Sequence, residues 1–264
     1  MCGPEVVETV HRRIGRRALF GSLGAAALTV ASAGAVRAEP IVAEAVPAGR
    51  LVDLTHTLSP TFPVWPGNEP FSMRPVAAYE RGGFLVNELS YWEHTGTHID
   101  APAHRFRGGA TADIIALEDL IAPLVVVDIS ARAAADAEAV VTIEDIAQWE
   151  REHGRIPDRA LVVMHSHWQN RLAERAAPGF SGGEAQMLVH ERNIVGIGVD
   201  TLSLDRMNDR EYPAHTAVLG AGRYGVEALA NLESVPPAGA TVVVGAPKHA
   251  GATGGPCRVF AIVP

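Results

Sequence analysis

Three features of the sequence predict an α/β domain with a mixed sheet and packed helices. Short apolar runs recur at Pro123–Ile129, Ala160–Met164 and Ile194–Val199, the pattern of strands covered on both faces. Between the first two lies a well-marked helix: Thr142 can cap it, Asp145 stands at the capping-box position, and Gly154 stops it after His153. The stretch His94-Thr-Gly-Thr-His-Ile-Asp-Ala-Pro-Ala-His104 is predicted to be extended. Gly96, two threonines, Ile99 and Pro102 all argue against helix there.

The elements follow in order. Arg12-Arg13 and Arg16-Arg17 precede the uncharged run Ala18–Val36, which ends at Val36-Arg37-Ala38. That pattern predicts a twin-arginine-type export signal over residues 1–38, cleaved to leave a periplasmic or extracellular protein with no stable membrane anchor. Residues 39–49, rich in proline, alanine and glycine, read as a linker, and 50–264 as one domain. The alternation in Arg50–Leu58 predicts a strand that sends Asp53 and His56 to opposite faces. Pro60–Pro70, containing Trp65-Pro66-Gly67, is a turn, and Gly83–Trp92 is a β-type run that leads into the histidine-rich stretch. A short helix is expected over Thr111–Leu120, another over Gly183–Asn193, and an apolar helix around Tyr224–Leu232. Thr241–Gly245 and Arg258–Val263 close the sheet, joined by a glycine-rich segment.

In an extended chain side chains alternate, so His94, His98, Asp100 and His104 share one face, with Gly96 opening a gap between the first two. Imidazole and carboxylate together suit zinc or manganese in an open, catalytic site. A single histidine is ordinarily a hydrogen-bonded core or surface residue, but four such groups on one face point to chemistry. His165-Ser166-His167 is a second, ambiguous pair, able to ligate or to tune a pocket. Gly220-Ala-Gly222-Arg-Tyr-Gly225 has the spacing of a dinucleotide loop, yet no strand precedes it.

The eleven-residue string from His94 to His104 resembles the signature of the metal-dependent cyclase-type amidohydrolases, a family with kynurenine formamidase-like and isatin hydrolase-like members. The resemblance runs from about Leu51 to the C-terminus. It implies a compact swivelling β/β/α domain, with His94, His98 and Asp100 as metal ligands and His104 as catalytic acid/base. It further implies that His215 and Glu227 complete the metal site, for one ion or two. The Trp65-Pro66-Gly67 turn has a counterpart beside the family's substrate pocket, which makes Trp65, with Phe62, the expected pocket wall. Asp200 and Asp205 match a family turn and are expected to orient neighbours or cap the turn. Isatin hydrolase-like members carry glutamine where this chain has Glu227, which leans toward an aryl formamide. An exported enzyme fits tryptophan breakdown less well and leans the other way; the expected substrate is a kynurenine formamidase-type aryl formamide, with an isatin- or lactone-type cyclic substrate as the alternative. Family members commonly form homo-oligomers.

The expected reaction is attack of metal-activated water on a C–N amide bond, with His104 moving a proton to the leaving nitrogen. The competing class is an exported, metal-dependent binding protein for a small ligand; His104 is the group such a protein would not need. The formal charge of -8 and the single lysine, Lys248, speak against a nucleic-acid partner. Of two cysteines, Cys2 lies within the expected signal, leaving Cys257 as a buried residue without a disulfide partner.

Overall fold

The computed structural model describes residues 49–264. The expected signal lies outside the described residues, as does all but the last residue of the linker. The strands, in chain order, are β1 (Arg50–Asp53), β2 (Ser72–Ala77), β3 (Val86–Ser90), β4 (His98–Asp100), β5 (Ile121–Asp128), β6 (Val140–Val141), β7 (Leu161–His165), β8 (Gly179–Phe180), β9 (Gly196–Val199), β10 (Tyr224–Glu227), β11 (Ala240–Gly245), β12 (Gly254–Pro256) and β13 (Arg258–Val263). The α-helices are α1 (Tyr79–Gly82), α2 (Ser130–Ala135), α3 (Ile143–His153), α4 (Gly182–Arg192) and α5 (Pro213–Gly220).

Nine strands form one mixed sheet in the order β1-β13-β11-β5-β7-β9-β10-β4-β12. Its centre, β5-β7-β9-β10, is parallel, and the strands on either side run antiparallel. The apolar runs are two-faced, as their composition predicts. Leu124, Val126, Leu161 and Val163 enter one core, while their neighbours Val125, Val127, Val162 and Met164 enter the other. The second core is roofed by α3, α4 and α5 through Ile146, Leu188 and Val218. The first core gathers Val52 from one end of the strand order and Ile99 from near the other, so the sheet curls and covers itself.

α3 forms as its ends dictate: Thr142 Oγ1 accepts from the Asp145 amide at 3.2 Å, and the Asp145 carboxylate accepts from the Thr142 amide at 2.7 Å. Several expectations are corrected. The first strand stops at Asp53, and Thr55 makes only an isolated bridge to Leu229. Thr111–Leu120 forms two single 3-10 turns, not a helix. The apolar helix expected around 224–232 is a strand, β10, followed by turns, because Gly225 and its neighbours complete the sheet beside β9. The glycine-rich 220–225 stretch follows α5 and runs into β10, so it descends from helix to strand, the reverse of a dinucleotide loop. Among the described residues no helix is long and apolar enough to cross a membrane.

Candidate metal centre

The site is built at the seam where β4 meets β10. Register puts Glu227 directly opposite His98 and Val226 opposite Ile99. Ile99 and Val226 therefore go into the self-covered core, while His98, Asp100 and Glu227 rise together on the other face. The residues paired with Asp100 on both neighbouring strands are glycines, Gly225 and Gly254. A Cβ at Gly254 would stand 2.7 Å from His94 Cε1, so the ring can lie over Asp100 only because that side chain is missing.

The segment around β4 is less extended than expected. Gly96 takes φ +70°, and Pro102–His104 closes a 3-10 turn, so only His98–Asp100 is strand. The bends replace strict alternation and wrap His94 and His104 over the strand. Their ring centroids lie 3.8 Å apart.

Five of the six expected metal-site and catalytic side chains converge on Asp100 or Glu227 within a few ångströms. His94 Nδ1 is 2.6 Å from Asp100 Oδ1, and His98 Nε2 is 3.3 Å from the same oxygen and 3.4 Å from Glu227 Oε2. His215 Nε2 lies 3.4 Å from Asp100 Oδ2 and 3.2 Å from Glu227 Oε1. The sixth, His104, sits at the open side, and its donor atom groups with those of His94 and Asp100 as a second possible cation position. Asp100 thus belongs to two overlapping donor groups, His94–Asp100–His104 and His98–Asp100–Glu227.

The outer contacts fix the rings. Asp205 Oδ2 is 2.6 Å from His215 Nδ1, and its carboxylate also accepts the Ala214 and His215 amides at the start of α5. It therefore orients the His215 ring, as expected, and also caps the helix, where the sequence suggested a turn cap as the alternative. Asp200 instead accepts from the Ser166 hydroxyl and the Ser166 and Trp168 amides, which anchors the turn after β7. His98 Nδ1 donates to the Gly96 carbonyl at 2.8 Å, which directs Nε2 toward the carboxylates. His94 Nε2 lies 3.0 Å from the Thr253 hydroxyl, itself bonded to Glu93. Glu93 and Thr253 escaped sequence reasoning; Glu93 adjoins His94, but Thr253 lies 159 positions away and carried no local signal.

The donor set fits a divalent cation. His98 Nε2 and Asp100 Oδ2 are buried with no hydrogen-bond partner among the described residues, although both point into the cluster. Burial opposes charge on His98, yet the Asp100 and Glu227 carboxylates outweigh it and raise its pKa to about 9. Burial likewise opposes charge on His215, and Asp100, Asp205 and Glu227 raise its pKa well above the ordinary value. Burial also works against ionised Asp100, but the imidazoles around it hold its pKa well below the usual carboxylate range. A buried pair of carboxylates that draws protons onto its neighbours is a site that calls for positive charge. His104 differs: burial lowers its pKa and outweighs the nearby Asp100.

The centre opens into a cavity of about 390 Å³ whose walls include Trp65, Trp92, Tyr212 and Arg105. Trp65 is where the resemblance places it. Phe62 is not: the turn that bonds its amide to the Ser59 carbonyl carries its ring over His56, at 5.4 Å, and into a separate hollow beside Gln169. Trp92 and Tyr212 were not singled out from the sequence. Tyr212 holds φ 52°, ψ 55° at the start of α5, a left-handed conformation that sets its ring against His215 at 5.9 Å. His165 and His167 are not among the described residues lining this cavity.

The chain is similar to known proteins over most of the described residues. An isatin hydrolase from Roseibium aggregatum is 31% identical over 242 residues, covering 81% of this chain and 92% of that protein. A kynurenine formamidase from Salinibacter ruber is 29% identical over 195 residues, covering 71% of this chain and 85% of the relative. The solved isatin hydrolase A from Labrenzia aggregata, bound to benzyl benzoate, superposes with a TM-score of 0.76 at 39% identity, covering 81% of this chain and 93% of that one. Two other matching structures, each 26% identical, are described as a potential metal-dependent hydrolase with cyclase activity and a predicted metal-dependent hydrolase. With the cyclase family model matching residues 52–206, the chain belongs to the cyclase family of hydrolases.

Proposed function

We propose that this chain is a metal-dependent hydrolase that opens the C–N bond of an aryl amide, with a cyclic amide of the isatin type as its substrate. One observation carries the reaction class: three imidazoles and two carboxylates, buried around unpartnered donor atoms, open onto a cavity walled by two tryptophans and a tyrosine. His94, His98, Asp100, His215 and Glu227 would hold a divalent cation, which when bound would supply Lewis acidity for activating water and polarising a carbonyl.

The remaining steps belong to side chains. Trp65, Trp92 and Tyr212 receive the flat aromatic part of the substrate by stacking and exclude water from it. His104, neutral at neutral pH because burial lowers its pKa, takes a proton from the attacking water. As the C–N bond breaks, the same imidazole returns that proton to the departing nitrogen. Arg105, whose guanidinium lies 5.7 Å from the Tyr212 ring centroid at the cavity wall, faces the carboxylate that amide hydrolysis creates.

The cyclic substrate leads because likeness to isatin hydrolase extends over 81% of the chain, against 71% for the formamidase. Glu227 favours the second reading, an aryl formamide such as N-formylkynurenine, since isatin hydrolase-like members carry glutamine there. The test is to strip the chain of metal, reload it with zinc or manganese, and assay both compounds side by side. Metal-restored turnover of isatin that is lost in His104→Ala is the expected result. Turnover of N-formylkynurenine alone selects the second reading, and stoichiometric binding without product overturns both in favour of a binding protein.

A further inference from the structure

A second group of metal-ligating side chains lies outside the centre just described. His165 ends β7, His167 sits in the turn that follows, and Glu233 belongs to the 3-10 turn Leu232–Ser234 beyond β10. One donor atom from each lies within 4.8 Å of the other two. A tetrahedral cation with bonds of about 2.1 Å holds its ligands about 3.4 Å apart, so the group needs to close by little more than an ångström. His167 and Glu233 are exposed, and closing by that much means shifting the Glu233 carboxylate against its Gln169 partner.

The group is shaped for a ligand. The His165 side chain is only 6% exposed, yet its Nε2 has no hydrogen-bond partner among the described residues. Its other nitrogen, Nδ1, faces the Asp128 carboxylate at 3.5 Å, on the side away from the unpartnered Nε2. His167 adopts φ 59°, ψ 22°, a left-handed conformation rare outside glycine, which brings its ring to 4.4 Å from that of His165 at 74°. The Glu233 carboxylate is held at both oxygens by the Gln169 amide at 3.1 Å, and Gln169 is in turn held by the Asn231 amide at 2.6 Å. An unpartnered buried imidazole, a strained residue turned toward it and an oriented carboxylate are the parts of a built metal site.

We infer that His165, His167 and Glu233 form a second, independent site for a zinc-class divalent cation. Two nitrogens and one oxygen suit zinc and its first-row neighbours, and are poor ligands for magnesium or calcium, which take oxygen. Three protein ligands leave the outward position to solvent. The ion joins the end of β7 to the turn after β10 and acts as a clamp between two segments that no covalent link connects. The inference does not depend on the hydrolase reading, because it shares no ligand with the Asp100 centre.

The test is zinc content after equilibrium dialysis of the whole chain, for the unaltered protein, His167→Ala and Glu233→Gln. Each variant is expected to hold one zinc fewer per chain, with a smaller rise in Tm on zinc addition than the unaltered protein shows. Equal zinc content in the unaltered protein and both variants overturns the site. Both substitutions fall on exposed side chains, and a second measurement needs neither variant: anomalous scattering at the zinc edge from crystals of the unaltered chain. A peak between His165 and Glu233 supports the site. A filled Asp100 centre with no peak there overturns it.

Discussion

The chain gathers imidazole and carboxylate at two places, and they are built by opposite means. At the Asp100 centre three of the donors, His98, Asp100 and Glu227, stand on paired strands, so register alone sets His98 across from Glu227, and Gly254 beside Asp100 makes room for the His94 ring. Around His165, which ends a strand, the other two donors stand on turns and are exposed, and an amide side chain orients the carboxylate. A sheet can bury two carboxylates side by side because it holds their counter-charges in fixed positions. Turns leave the carboxylate in water, where it needs no such partner. The first centre should therefore depend on charge in a way that the second does not.

The sharpest way to break this contrast is Asp100→Asn. It removes the carboxylate that three imidazoles share, and the expected outcome is loss of both bound metal and turnover, read by elemental analysis and steady-state rates. Retained metal and activity would mean that the buried charge is not what organises the centre. Next, His104→Ala is expected to lower kcat by about 100- to 10,000-fold while metal content stays unchanged, the signature of a lost proton carrier. Coupled loss of metal would make His104 a ligand, as its grouping with His94 and Asp100 allows.

The pH dependence of the metal-free chain isolates the same charges. His98 is raised from 6.5 to about 9 in the folded state, so its stabilising contribution is complete below pH 6.5 and is lost as pH rises toward 9. Asp100 is depressed, so its contribution holds above the ordinary carboxylate range and is lost only in acid. Metal-free protein should thus lose stability between pH 6.5 and 9, by up to about 3 kcal/mol from His98. Metal affinity should climb over the same interval as protons leave the ligands. Thermal melts with and without zinc measure both trends. The smallest effect is expected from Asp205→Asn: a loss of about 10- to 100-fold in metal affinity through a loosened His215, read by chelator competition.

The sequence made some of this legible and hid the rest for physical reasons. The two-faced runs and the capped helix rest on local periodicity or spacing and stand in the structure at the places read for them, whereas the histidine-rich stretch is strand only over His98–Asp100. The local pattern of β10, Tyr-Gly-Val-Glu followed by an apolar run, does not distinguish strand from helix; its place beside β9 makes it a strand. His215 and Glu227 came from family resemblance, since nothing within either segment points to the other. Thr253, Trp92 and Tyr212 reach the site through the sheet or through a turn's left-handed backbone. Phe62 sits three residues from Trp65, yet the Ser59 turn sends the two rings to different hollows.

The seam at β4 also governs when the site can exist. The strand bearing His98 and Asp100 is flanked by β10 and β12, which appear more than 120 residues later in the chain. While the protein is being made, that strand emerges early and waits with both edges open until nearly the whole chain has left the ribosome. The proposed centre could then hold a cation only after the sheet has closed. Truncation just before Gly254 would remove one wall of a site whose signature motif is untouched.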